Sequence, residues 1–131
     1  MKTLIVEDDF TSRLLLQQLL APHGERHAAQ NGTEAMEAYM LAEREGRPFD
    51  LICLDIMMPE MDGQAVLGQI RAYEKKVKKR AQDQVKIIMT TALGDEGNVL
   101  QAIRGSCDAY LVKPINRDEL LNQLRLFNLI D

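Results

Sequence analysis

Cysteine, histidine and long apolar runs are all scarce in this chain of 131 residues, and each scarcity closes off a class of function. The two cysteines, Cys53 and Cys107, form no close pair, and Cys53 falls inside an apolar run. Both therefore read as reduced thiols of a cytoplasmic protein. No histidine falls where it would activate Cys53 as a nucleophile. His23 lies in a loop and His27 at a weak strand, positions that give neither a metal role. Positive charge is in deficit, with a net charge of −4, which argues against direct nucleic-acid binding through a basic face. No apolar stretch approaches a membrane span. Met1-Lys2 leads straight into a strand, so no signal peptide is expected.

What remains is an ordinary soluble domain with 46% hydrophobic residues, and the length suits one core. Short apolar strands are expected near residues 2–6, 26–29, 51–54, 85–90 and 109–112, the second being the weakest. Helices fill the gaps. Leu14, Leu15, Leu16, Leu19 and Leu20 make a broad stripe that Pro22 and Gly24 close. Asn31 with Glu34, and Asn116 with Glu119, have the spacing of helix-start capping boxes. Gly46 and Pro48 end the second helix. Val66, Ile70, Tyr73 and Val77 line the third, and Leu120, Leu121, Leu124 and Phe127 line the last. Strands joined by helical crossovers imply an α/β fold, a parallel sheet with helices on both faces.

The run from Leu51 to Gly63 carries the most information. Leu51 to Leu54 read as a strand buried on both faces, so Asp55 sits where that strand surfaces, at a crossover of the kind where open α/β sheets bind ligands. The first strand likewise runs into Glu7, Asp8 and Asp9, and the last ends in Lys113-Pro114. If these ends meet, the site holds three carboxylates and an ammonium. Two carboxylates about 5 Å apart at an effective dielectric near 20 repel by roughly 3 kcal/mol. Such a cluster either takes up a proton or binds a cation, and a few hard oxygen ligands suit Mg²⁺. Asp55 alone could equally be a turn or cap residue; the company of the other groups makes it a site.

Four motifs in order, Glu7-Asp8, Asp55, Thr91-Ala92 and Lys113-Pro114, resemble the receiver domain of two-component response regulators, in particular the stand-alone chemotaxis-type members. The resemblance spans the whole chain and implies a flavodoxin-like, doubly wound five-stranded sheet of order 2-1-3-4-5. It implies that Asp55 accepts a phosphoryl group from a phosphohistidine, and that Asp8, Asp55, the Met57 carbonyl and, through water, Glu7 hold Mg²⁺. Thr91 would bond a phosphoryl oxygen, Lys113 would supply charge, and Tyr110 would turn inward as Thr91 moves. The family's cis peptide would fall at Lys113-Pro114. Asp9 rivals Asp8, although Arg13 then loses its usual spacing, and Thr90 rivals Thr91.

By the same resemblance the donor is a sensor histidine kinase or a histidine phosphotransfer protein, and the output is a downstream protein target. That target would read a surface of the fourth helix, fifth strand and fifth helix, with a phosphorylation-dependent dimer possible. Residues 1–131 are expected to form one receiver domain without an effector domain. A phosphorelay intermediate is the alternative function. A haloacid dehalogenase-type hydrolase would also use a strand-end aspartate, but it needs a second one two residues on, where Met57 stands. Met57, and Leu93 two past the threonine, cannot orient an attacking water, so slow loss of the phosphoryl group is expected. The chain has extra residues near Glu43–Arg47 and Glu74–Gln84. The second insertion carries Lys75, Lys76, Lys78, Lys79 and Arg80, a cluster that reads first as a solvated helix end and second as a docking surface.

Overall fold

In the computed structural model, which describes residues 1–58, 62–92, 94, 97 and 106–131, the run Leu51–Asp55 is a strand, β3, with all five residues buried. β3 is the middle of a parallel sheet that also contains β1 (Lys2–Val6), β2 (Glu25–Ala29), β4 (Lys86–Thr91) and β5 (Ala109–Val112), in the order β2-β1-β3-β4-β5. That order reverses direction between β1 and β3, which opens a crevice at their carboxyl ends. The described helices are α1 (Phe10–Leu20), α2 (Gly32–Arg44), α3 (Gly63–Lys76) and α4 (Arg117–Leu126). The helix expected between β4 and β5, and with it most of the fourth-helix surface, lies outside the described residues.

Alternation along the strands divides the core. Leu4, Val6, Ile52, Leu54, Ile87 and Met89 face α2 and α3, where they meet Ala35, Tyr39, Val66, Leu67 and Ile70. Ile5, Leu51, Cys53, Ile88 and Leu111 face the other way, against Leu16, Leu20, Leu120, Leu121 and Leu124 of α1 and α4. Each fully buried Leu or Ile contributes roughly 1.5–3 kcal/mol over leaving it exposed. Strands flanked on both sides cannot alternate polar with apolar, which is why β3 reads as an unbroken apolar run.

The helix starts follow local chemistry. Asp9, Asn31, Asp62 and Asn116 are the N-caps of α1, α2, α3 and α4, each accepting from the backbone N–H three residues on. Gly63 is needed for another reason: a Cβ there would overlap the carbonyl oxygen of Asp55, so α3 begins in direct contact with the end of β3.

Two apolar stripes are narrower than their periodicity suggests. Leu14 is 43% exposed and Val77 is 47% exposed. Leu14 lies on the rim of α1. Val77 is the C-cap residue of α3, past the last helical turn that packs on the sheet. The two insertions also find each other: Lys79 Nζ lies 2.7 Å from Glu43 Oε1, both side chains being mostly covered. Lys79 is therefore a tie between α2 and α3, unlike the solvated neighbours with which the sequence groups it.

Candidate functional site

The ends of β1, β3 and β5 converge on four charged side chains. β1 and β3 are paired in register from Thr3↔Leu51 to Val6↔Leu54, so Glu7 and Asp55, one residue further along each strand, are neighbours. Asp8 follows at the surface. One carboxylate oxygen from each of Glu7, Asp8 and Asp55 lies within 4.8 Å of the other two. Lys113 reaches in from the end of β5, its Nζ 2.6 Å from Glu7 Oε1 and 3.3 Å from Asp55 Oδ1. Its peptide bond to Pro114 is cis, as the resemblance implies.

The backbone around the acids is held from two sides. Arg13, one turn into α1, donates from Nη1 to the carbonyls of Glu7 (3.0 Å) and Asp8 (3.4 Å), which gives its spacing from the acidic pair a physical meaning that the sequence does not supply. The Asp9 N–H donates to Glu7 Oε2 at 3.2 Å, and the Met57 N–H donates to Asp55 Oδ1 at 3.2 Å. Asp9 itself caps α1 through Ser12 N at 2.9 Å and lies outside the carboxylate cluster. Of the two rivals, the geometry brings Asp8 to Asp55.

Electrostatics separate the two buried acids. Glu7 and Asp55 are 1% and 4% exposed, too close and too dry for both to ionise without a cation. Burial, aided by the hydrogen bond and charge of Glu7, pushes the Asp55 carboxyl up to about 7 against an opposing pull from Lys113. Glu7 moves the other way: burial alone would raise it, but hydrogen bonds from Asp55 and Lys113 hold it below the usual carboxylate range. The lysine sits nearer Glu7, so Glu7 keeps the charge and Asp55 carries the proton. Lys113 is itself raised, because contacts with Glu7 and Asp55 outweigh its partial burial. Hard oxygen donors crowded beyond what one ammonium neutralises are the donor set that a small divalent cation fits.

Both threonines are buried at the end of β4, Thr90 at 1% and Thr91 at 2% exposed. Thr90 is paired in register with Asp55 and Leu111, Thr91 with Val112. Thr91 therefore shares a sheet face with Tyr110, two residues before Val112. Among the described residues, the Thr91 hydroxyl donates a single long bond, 3.3 Å to the Ala92 carbonyl, which a better acceptor would displace. Tyr110 is 45% exposed, its ring turned outward. Leu93 lies outside the described residues.

A sheet of order 2-1-3-4-5 with an acid crevice at its switch point defines a doubly wound signalling or nucleotide-binding class of fold, and the comparison with known proteins decides between them. The model of the response regulator receiver domain matches residues 3–125, so this chain belongs to that family, the receiver domains of two-component signalling. It is 34% identical over 125 residues to the chemotaxis protein CheY of Bacillus subtilis (strain 168), spanning 94% of this chain and 93% of that one. It is 38% identical over 127 residues to the transcriptional regulatory protein ResD of the same organism, covering 95% of this chain but 46% of ResD. Among solved structures, the receiver domain of the histidine kinase CKI1 from Arabidopsis thaliana, complexed with Mg²⁺ and BeF₃⁻, aligns with a TM-score of 0.79 at 31% identity, covering 97% of this chain and 89% of that one. Among the described residues, no helix is long and apolar enough to cross a membrane.

Proposed function

We propose that this receiver is a phosphorylation-switched module in which Asp55 is the phosphoacceptor. The observation that carries the reading is the convergence of Glu7, Asp8, Asp55 and Lys113 at one crevice. Asp8, Asp55, the Met57 carbonyl and, through water, Glu7 would hold Mg²⁺, which when bound neutralises the carboxylates and the incoming phosphoryl oxygens. An ionised Asp55 oxygen attacks the phosphorus of a phosphohistidine in a sensor kinase or phosphotransfer protein. The P–O bond forms as the P–N bond breaks, and the imidazole leaves with the electron pair. Reactions of this type need placement and charge neutralisation more than covalent help. Lys113 supplies a fixed positive charge at the oxygens, and the Met57 N–H orients the Asp55 carboxylate.

The aspartyl phosphate then offers Thr91 an acceptor better than the Ala92 carbonyl. Movement of Thr91 along the sheet face that it shares with Tyr110 makes room for the ring to turn in, and the altered β5 and α4 surface regulates a downstream protein. Phosphate favours that conformer only to the extent that it contacts it better. Incubation with Mg²⁺ and acetyl phosphate, followed by peptide mass spectrometry, tests the reading: the label is expected on Asp55, and a label elsewhere overturns it. Lys113→Ala is expected to keep the label while weakening the Tyr110 response, read by fluorine NMR of a fluorotyrosine-labelled protein.

A phosphorelay role has one observation in its favour. Phe10, 67% exposed, and Met57, 60% exposed, follow closely on the acids in sequence and offer an apolar contact for a helical phosphotransfer partner. Transfer of the label from Asp55 to a histidine phosphotransfer domain and back would establish it.

Two further results are expected of the site. In metal-free protein an unfolded aspartate titrates near 3.9, whereas folded Asp55 does so at about 7. Below both values Asp55 contributes nothing to the pH dependence of stability. From about pH 4 to 7 the folded state keeps a proton that the unfolded state has lost, so stability falls as pH rises and levels off above. Mg²⁺ must displace that proton, so its affinity should rise about tenfold per unit below pH 7 and then flatten. Calorimetric titrations across this range check it, and an affinity independent of pH would refute it. Second, with Met57 two residues past Asp55, the phosphorylated protein should persist for minutes or longer; a half-life of seconds would contradict this.

A further inference from the structure

At the opposite end of the sheet from Asp55, the side chains of Lys75, Lys76 and Lys78 make no ion pair or hydrogen bond with the described residues; Lys75 and Lys76 lie in the last turn of α3, where a cation suits the helix dipole. Among the described residues, the cations lacking an ion-pair or hydrogen-bond partner are Arg44, Lys75, Lys76, Lys78 and Arg117, so three of the five fall in one short stretch. Lys79 beside them is tied to Glu43, and Arg71, which faces the same cleft, is consumed by Glu74 and Asp108. With Lys86 Nζ 3.9 Å from Asp108 Oδ1 as a second cation, both acids of the cleft are balanced, and the charge left over is positive. Lys75 and Lys78 line this cleft of about 690 Å³ between α3 and the segment Ser106–Asp108.

The backbone at Lys78 points the same way. Lys78 occupies the left-handed conformation, φ +58°, just past the end of α3. The Lys78 N–H bonds the Lys75 carbonyl, and the Lys79 N–H bonds the Glu74 carbonyl, the closing pattern of a helix for which glycine is the favoured residue. The equivalent turns after α2 and α4 use Gly46 and Asn128, at φ +71° and +59°, which tolerate this conformation. A lysine there works against the turn. Val77, 47% exposed, lies between the lysines as an apolar contact.

We propose that the α3 end of this receiver is a docking surface for an acidic polypeptide segment of a partner protein, held by Lys75, Lys76 and Lys78 around Val77. Charge complementarity selects the sign, and the exposed valine favours a peptide over nucleic acid, which has no apolar side chain to meet it. Because this surface lies at the other end of the sheet, docking is independent of the phosphorylation state of Asp55. It would tether the receiver near its partner, raising the effective concentration for the switch surface.

The test is fluorescence polarisation with a fluorescein-labelled poly-glutamate peptide carrying one central leucine. Lys75→Gln/Lys76→Gln/Lys78→Gln should weaken binding at least about tenfold, and raising salt from about 50 to 300 mM should do the same to the wild type. Arg44→Gln/Arg117→Gln, which removes the other unpaired cations, should leave it within about twofold. Lys78→Gly should raise Tm yet weaken binding, whereas a purely structural lysine would show no loss. Acetyl phosphate labelling of Asp55 should be unchanged in every variant. Equal binding by the triple variant and the wild type overturns the proposal, as does tighter binding of a duplex DNA probe, or loss of peptide binding on phosphorylation.

Discussion

Asp55→Asn is expected to abolish labelling by acetyl phosphate while making the metal-free protein more stable at pH 8. Both effects follow from one fact, the burial of two carboxylates beside a single ammonium. The amide has no ionisable oxygen to attack phosphorus, so labelling falls to background. It also carries no charge to set against Glu7. The Asp55 carboxyl, raised to about 7, must ionise at pH 8 at a cost to the folded state on the order of 4 kcal/mol, since each unit of displacement is about 1.4 kcal/mol. Removing that cost, which is already net of the attraction to Lys113, should raise the free energy of unfolding by about 2–4 kcal/mol in urea denaturation with chelator present. Mg²⁺ should reverse the ranking, stabilising the wild type far more than the variant. Retained labelling would show that another residue is the acceptor; a destabilised variant would show that Asp55 and Glu7 do not oppose each other.

Arg71→Met is expected to be the most destabilising substitution outside the core, at about 3–5 kcal/mol. Arg71 donates to Glu74 Oε1 (2.7 Å), Asp108 Oδ2 (2.8 Å) and the carbonyls of Val85 (2.9 Å) and Ser106 (3.0 Å). Glu74 is 1% exposed and also accepts from the Val85 N–H at 2.8 Å, while Asp108 accepts from the Ile87 N–H at 2.7 Å. One guanidinium thus joins α3, the start of β4 and the approach to β5. Its loss leaves a buried carboxylate without a counter-charge, the costly case for an ion pair. Asp55 labelling should survive below the melting temperature, because the clamp is at the other end of the sheet. A loss of less than about 1 kcal/mol in urea unfolding would show that Glu74 finds other compensation.

The strand and helix pattern was legible because it is local. The expected strands near residues 2–6 and 109–112 coincide with β1 and β5, and those near 26–29, 51–54 and 85–90 differ from β2, β3 and β4 by a residue at one or both ends. The capping signals at Asn31 and Asn116 appear as bonds to Glu34 N and Glu119 N. Leu14 and Val77 were misjudged because periodicity registers an apolar face but not where the neighbouring element stops covering it. The Arg71 clamp left no readable trace: its partners lie up to 37 residues away, and an arginine among lysines near a helix end looks like any solvated charge.

Sequence alone determined the alternating elements, the acids at the ends of β1 and β3 and the lysine after β5, since burial pattern and strand punctuation are written in neighbouring residues. Only the tertiary structure decided which acids meet. It brought Asp8 to Asp55 and placed Lys113 nearer to Glu7 than to Asp55, which favours the proton on Asp55. Those outcomes depend on distances between groups more than 45 residues apart, set by strand register and helix packing, which no local pattern encodes.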